Sequence, residues 1–259
     1  MNFIGIASVV ASVVAFAIAH KLLRPRSLSI RIRFLCVFAL LAVPSILFAV
    51  YYLHFLPEYE WFYTLRSWPG SEFLVVFLGC ADGAAAALIP RVLLSLPLFA
   101  TLALAVIPHV KPLLVPLSFG EFKDQWQDNA CLQSTASTCG PSSVATILRH
   151  FGINTTEREI AQAAFSCEGG TEAWYLARYV RSRGLSARFV FRSTFSSEAG
   201  QPALVGVRLG RAGHFIAVLE VHDDQVTIAD PLFGERRMTL TDFKRRYEFT
   251  GFHMVIQLG

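Results

Sequence analysis

One cysteine in this chain stands where a thiol can act as a nucleophile. Gln133 to Gly152 reads QSTASTCGPSSVATILRHFG. Cys139 opens a segment with helix-start chemistry. Gly140 frees the backbone at the turn, Pro141 suits a first helical position, and Val144, Ile147, Leu148 and Phe151 recur at helical spacing. Gly152 supplies the stop. A thiol at a helix N-terminus meets the positive end of the dipole and N–H groups with no partner inside the helix. Both favour an anion, and so a thiolate. Gln133, just upstream, carries a side-chain amide suited to an oxyanion. A cysteine before a helix is weak evidence alone, because most buried cysteines are small hydrophobes. Two later stretches add to it. GHFIAVLEV places His214 at the start of a strand-like run, and VTIADPLFG places Asp230 at the end of the next. A thiol nucleophile, an imidazole base and an orienting carboxylate make a hydrolytic set.

The elements around these residues read as helices followed by strands. Thr156 and Glu159 form a capping box for a second helix, running to about Phe165. Thr171 starts a third, with Ala173, Leu176, Ala177 and Val180 on one face and Gly184 ending it. Strands follow at Ala187–Arg192, Ala203–Leu209, His214–Val221 and Gln225–Ala229, then Met238–Leu240, a short helix from Thr241, and Phe252–Leu258. That order predicts an α+β domain over residues 124–259, with the thiol on the helical half and the base on an antiparallel sheet. The hairpin around Asp223-Asp224 sets a geometric condition. A perfect two-residue turn pairs His222 with Gln225 and puts Asp230 opposite Ala217, about 10 Å along the strand from His214. A bulge or strong twist is needed for the two to meet. His150, His222 and His253 are the other histidines of this half. His150 is expected at the surface or as a helix cap, His222 beside the turn, and His253 is the best substitute base.

The order of these groups is that of a papain-like thiol hydrolase. Residues from about Asp124 to Gly259 resemble the papain-like peptidases that process bacteriocin precursors, the double-glycine leader peptidases. The resemblance is carried by Gln133 with Cys139-Gly140, by Gly213-His214-Phe215, and by Asp230-Pro231 followed by Gly234. It implies a cysteine peptidase with Cys139, His214, Asp230 and Gln133 as its catalytic residues, without metal or cofactor. Two departures matter. Thr138 precedes the cysteine where exporter-fused members carry an acidic residue, so the chain looks more like the stand-alone branch. No Walker A loop follows, so an exporter motor is not expected here.

The first half of the chain is far more apolar. Hydrophobic residues make up 54% and charged ones 16% of the 259 residues, and the apolar excess lies before about residue 115. Four spans are expected, at about 3–19, 34–55, 73–89 and 92–108. Met1-Asn2 carries no basic side chain and HKLLRPR follows the first run, so that run reads as a retained span rather than a signal peptide. Lys21, Arg24, Arg26, Arg31 and Arg33 mark the next loop as cytoplasmic. The loop to about Glu72, with Trp61, Phe62, Tyr63 and Trp68, reads as interfacial and extracytoplasmic. Asp82 falls inside the third run between Gly79 and Gly83. It suits a helix contact, a protonated carboxyl, or a transport role. Four spans and a Pro-containing linker over 109–123 would set the C-terminal domain outside the cytoplasm. A single crossing over 73–108 would set it inside.

The net charge of +4 is modest and no basic stripe interleaves with aromatics, so nucleic acid is not an expected partner. The five cysteines show no CxxC pair and no zinc spacing. Cys131 and Cys167 are candidates for a disulfide. Arg236, Arg237, Lys244, Arg245 and Arg246 read as a solvated face. Together these readings predict a multi-pass protein of a bacterial inner membrane. Its partners are the lipid bilayer, a peptide or protein substrate cleaved near it, and an unidentified membrane protein. A thiol amidase or acyltransferase on the same fold, and a membrane adaptor without catalysis, are the rival classes.

Overall fold

A computed structural model of the chain describes residues 2–52, 58–109, 112, 114–118, 120 and 122–259. It divides into two compact units. One comprises Met1–Pro57 and Pro69–Leu114, and the other Glu58–Trp68 and Val115–Gly259.

The first unit is helical. Helix α1 (Phe3–Leu23) and α2 (Leu28–Tyr51) are long and continuous, and α2 runs through Pro44 without ending. After α3 (Glu60–Arg66), which belongs to the second unit, come α4 (Val75–Ala86) and α5 (Ser95–Val106). Three helical stretches are long and apolar enough to cross a membrane: Phe3–Leu23, Leu28–Tyr51 and Arg91–His109. The third expected span, 73–89, instead breaks into a 3₁₀ turn at Ser71–Leu74 and the 12-residue α4. The end of the second expected span, 53–55, lies outside the described residues.

Glycine sets the packing of α4. A Cβ at Gly79 would lie 2.1 Å from the Ser12 carbonyl oxygen, and one at Gly83 would lie 2.4 Å from that of Phe16. Two small residues four apart thus let α4 meet the backbone of α1. Ser12 Oγ donates to the Val75 carbonyl at 2.9 Å. Between the glycines, the Asp82 carboxyl accepts a hydrogen bond from Thr101 Oγ1 of α5 at 2.6 Å. This makes Asp82 a helix contact, one of the roles its position suggested. In the basic loop, Arg31 donates to the carbonyls of Arg24, Arg26 and Ala87, covering oxygens at the C-terminal ends of α1 and α4.

The second unit is α+β. After a small hairpin, β1 (Trp126–Gln127) and β2 (Ala130–Cys131), come α6 (Cys139–His150), α7 (Glu157–Ala163) and α8 (Ala173–Ser182). Strands β3 (Leu185–Phe191), β4 (Ala203–Leu209), β5 (Ala212–His222), β6 (Gln225–Asp230), β7 (Gly234–Thr239) and β8 (Glu248–Leu258) follow, with α9 (Leu240–Arg246) before the last. They form one antiparallel sheet in the order β3-β8-β4-β5-β6-β7. One face buries Val205, Val207, Ile216, Ile228 and Phe243. Thr156 Oγ1 accepts from Glu159 N at 3.1 Å, as half of the expected capping box. The Glu159 carboxylate turns away to Tyr179 and Arg183.

The expected boundary at residue 124 omits a segment. Glu58–Trp68, expected at a membrane interface, folds with the second unit. Phe62 and Tyr63 are buried there, and Trp61 and Trp68 stay exposed. None of the five cysteines forms a disulfide, so Cys131 and Cys167 are not joined. Burial, with Glu157 nearby, pushes the Cys131 thiol up to about 12.

Candidate active site

Cys139 is the first residue of α6 and is 8% exposed. Thr138, the residue before it, is fully buried and spends its hydroxyl on Thr135 rather than on the helix. The first-turn N–H groups of a helix have no carbonyl partner within it, and Cys139 stands at that end of α6. Gly140 is needed for space rather than for a turn. A Cβ there would lie 2.9 Å from Leu176 Cδ1 and 3.4 Å from the ring of Phe215. The missing side chain lets α6 press against β5. Ser143 Oγ, fully buried, donates to the Phe215 carbonyl at 3.1 Å and ties the two elements together. Phe215 follows His214, whose imidazole lines the same cleft as Cys139.

Asp230 reaches His214 because of a bulge. The turn pairs His222 with Gln225 as expected, but the register shifts between Val218 and Glu220, leaving Leu219 as an extra residue. Ala217 therefore faces Ala229 instead of Asp230. A one-residue shift turns every later side chain to the other face of the sheet. Continued one pair further, the shifted register sets Asp230 beside Ile216, on the face His214 shares, as a diagonal neighbour. The side chains close the gap: His214 Nε2 lies 2.9 Å from Asp230 Oδ1. With Nε2 on the carboxylate, Nδ1 is left for the thiol.

The carboxylate is fully buried and well supplied with donors. Oδ1 also accepts from Leu232 N at 2.9 Å, and Oδ2 accepts from the Tyr247 hydroxyl at 2.8 Å. Burial alone would raise the Asp230 carboxyl, but bonds from His214, Leu232 and Tyr247 outweigh it and hold it below its ordinary value. Burial likewise pulls His214 down. The hydrogen bonds to Asp230 and Cys139, with their negative charge, win and raise the imidazole to about 9. The Tyr247 hydroxyl goes up to about 12, through burial and the carboxylate beside it. Such a set can hold the His214 ring charged near neutral pH.

Gln133 stands differently. Its backbone N–H donates to the Pro231 carbonyl at 3.0 Å, which ties it to the residue after Asp230. Its Nε2 donates to the Thr135 carbonyl at 2.7 Å, so the amide is engaged within its own loop. The adjoining Ser134 is anchored by the buried Glu157 carboxylate, which accepts from Ser134 N at 2.8 Å and from its hydroxyl at 2.5 Å. Of the other histidines, His150 and His222 are exposed. His253, the expected substitute, is buried between Phe195 and Phe249 and does not line the cleft. Burial lowers it to about 4. Ser143 and Tyr247 carry no sequence signal. The first sits in an ordinary helical run, the second at the end of a basic one.

Cys139 and His214 line a cleft of about 740 Å³. Its sides include Gly169, Gly170, Gly206, Gly213 and Gly251, so backbone is exposed along much of it. At Gly206 the β4–β8 register breaks, and a Cβ would meet Thr250 Oγ1 at 2.5 Å. Among the described residues no group of three or more His, Cys, Asp or Glu side chains is placed to hold a metal ion.

The model of the Peptidase C39 family matches residues 127–257. An uncharacterized protein of Methanothermobacter marburgensis is 35% identical over 125 residues, covering 48% of this chain and 85% of that one. The probable functional amyloid protease FapD of Pseudomonas aeruginosa is 25% identical over 134 residues, 48% of this chain and 59% of FapD. Among solved structures, the peptidase domain of Streptococcus ComA, a bifunctional ABC transporter, superposes with a TM-score of 0.44 at 21% identity. That match covers 49% of this chain and 96% of that domain. A double-glycine motif protease from an AMS/PCAT transporter, in complex with its leader peptide, gives 0.43 at 19%, over 50% and 91%. The family match takes in Cys139, His214 and Asp230 and spans half of the chain, which therefore belongs to the Peptidase C39 family.

Proposed function

We propose that this protein is a membrane-anchored cysteine peptidase that cleaves a peptide or protein tail through Cys139, His214 and Asp230. The observation that carries the reading is that Cys139 and His214 line one cleft, with the His214 imidazole bonded to a fully buried carboxylate that has three donors. The Cys139 thiolate attacks the carbonyl carbon of the scissile bond. The oxyanion is held by the Cys139 N–H and by the Gln133 amide, once that amide exchanges its bond to Thr135. The imidazolium gives its proton to the leaving amine, and a thioester remains. Water attacks the thioester while His214 takes its proton. The acid product leaves and the thiol is restored. Asp230 keeps the ring oriented throughout, and Tyr247 keeps Asp230 oriented.

A peptide substrate agrees with the names of the similar proteins, which include a protease of functional amyloid and a lactococcin G processing protein. Chain connectivity bears on the side of the membrane. Glu58–Trp68 and Val115–Gly259 belong to one compact unit, which supports an even number of crossings by the chain between them. If α1 and α2 each cross once, the loop with Arg24, Arg26, Arg31 and Arg33 faces the other side. The positive-inside rule makes that side cytoplasmic. We place the peptidase unit outside the cytoplasm of a bacterial inner membrane.

The test uses the full chain in detergent micelles with internally quenched peptides containing a Gly-Gly pair. Cleavage that is lost in Cys139→Ala supports the reading, and cleavage that persists refutes it. A C-terminal reporter active only outside the cytoplasm tests the sidedness. A signal from its cytoplasm-active counterpart instead would overturn it.

A further inference from the structure

Glu58–Trp68 is built into the peptidase unit rather than passing over it. Tyr63 packs its ring against Trp174, Phe189, Phe191 and Phe252, with centroids 5.2 to 5.7 Å away. The carbonyls of Arg66 and Trp68 accept from Arg178 Nη2 at 2.7 and 2.8 Å. Ser67 Oγ accepts from Arg181 Nη1 at 2.7 Å. Glu60 accepts from Phe191 N at 3.0 Å, on the outer strand of the sheet. An edge strand needs such cover, so a structural duty is clear.

Cover does not account for Glu58. This residue is exposed and, with Tyr63, lines the same cleft as Cys139 and His214. Its carboxylate makes no ion pair or hydrogen bond among the described residues. Between it and the thiol runs an aromatic floor. Phe252 touches Tyr63 at 5.7 Å and Phe215 at 5.4 Å, and Phe215 borders Gly140 beside the thiol. Of the two arginines that line the cleft, Arg208 is paired with Glu248 at 3.0 Å and Arg192 is exposed.

We infer that Glu58 and Tyr63 are specificity-determining residues of the cleft, forming a subsite for a lysine or arginine side chain of the substrate. The apolar stem of such a side chain lies along the aromatic floor, as amphipathic side chains do. Its cation meets the Glu58 carboxylate, and Tyr63 holds Phe191 and Phe252 in the floor beneath the stem. The subsite comes from chain between two apolar helices, so residues 115–259 alone hold the thiol and imidazole but lack this wall. The inference rests on the peptidase reading above and adds the substrate chemistry to it.

The experiment scans a lysine, and separately a glutamate, through each position of an internally quenched peptide. It uses the full chain in detergent, wild type, Glu58→Lys and Tyr63→Leu. The wild type is expected to favour lysine over glutamate at one position by about fivefold or more in kcat/KM. Glu58→Lys should reverse that order, and Tyr63→Leu should raise KM for the lysine peptide more than it lowers kcat. Alkylation of Cys139 by iodoacetamide should proceed at the wild-type rate in Glu58→Lys. An unchanged profile in Glu58→Lys overturns the subsite and leaves the peptidase reading intact. An equal loss on every peptide also overturns it, leaving a structural segment. If Tyr63→Leu fails to fold, the Glu58→Lys profile decides alone. A wild-type chain that alkylates quickly but cleaves no peptide refutes both readings.

Discussion

Replacing Asp230 by Asn removes one buried negative charge and almost nothing else. The amide oxygen can still accept from Leu232 N and His214 Nε2, and the Tyr247 hydroxyl can turn to accept from the new NH₂ group. The electrostatics change greatly. His214 stands at about 9 instead of 6.5. At about 1.4 kcal/mol per pH unit, that is roughly 3 kcal/mol in favour of the charged ring, net of its burial. Without the carboxylate, only Cys139 is left to oppose burial, and the ring falls toward its ordinary value. The active pair needs a charged imidazole. If the ring falls the whole way to 6.5, its charged fraction at pH 8 drops from about nine-tenths to about 3%, an upper limit of roughly 30-fold, whereas at pH 6 the loss is less than about twofold. The assay is kcat/KM against pH, with iodoacetamide alkylation of Cys139 in parallel. The alkaline limb should move down by up to about two and a half units. Stability follows with its own sign. The raised imidazole contributes stability fully present below pH 6.5 and lost as pH rises through about 9. The lowered carboxyl contributes stability present above 3.8 and lost as pH falls through its folded value. In Asp230→Asn the alkaline fall in melting temperature should shrink and the acid fall from this group should vanish. An alkaline limb that stays near pH 9, with the mutant folded, would refute the claim that Asp230 holds the charge on His214.

Two further substitutions probe the elements that set the geometry. Ser143→Ala removes the bond from α6 to the Phe215 carbonyl. It should cost about 1 kcal/mol of stability and slow both cleavage and Cys139 alkylation by roughly 2- to 10-fold; an unchanged alkylation rate would show that the bond does not set the thiol–imidazole distance. Gly79→Ala puts a Cβ 2.1 Å from the Ser12 carbonyl oxygen, so the helices must separate, at about 1–3 kcal/mol. Thermal unfolding in detergent measures it, and a melting point equal to wild type would mean that α1 and α4 are not in that contact.

The thiol, the imidazole and the α+β order were legible because each rests on local pattern. Pro141 and the apolar spacing after it mark α6, and alternation marks the strands. The need for a bulge could be read from the hairpin arithmetic, but not its place, because Leu219 suits any strand position. Ser143 and Tyr247 act through contacts 72 and 17 residues away, and such partners leave no local trace. The aromatic run at Trp61–Tyr63 misled for a related reason. Beside apolar helices it has the composition of a membrane interface, while the partners that bury Tyr63 lie in α8, β3 and β8. The third apolar run was read by length alone, whereas Gly79 and Gly83 build a short helix against α1.

The divided origin of the peptidase unit has a consequence for biosynthesis. Phe62 and Tyr63 leave the ribosome on the order of a hundred to two hundred residues before Trp174 and Phe252, the rings that bury them. During that interval the loop presents bare aromatic surface with no partner yet made, the condition in which nascent chains are captured by chaperones or lost to aggregation. A ribosome that stops before Trp174 therefore leaves Phe62 and Tyr63 without the rings that cover them.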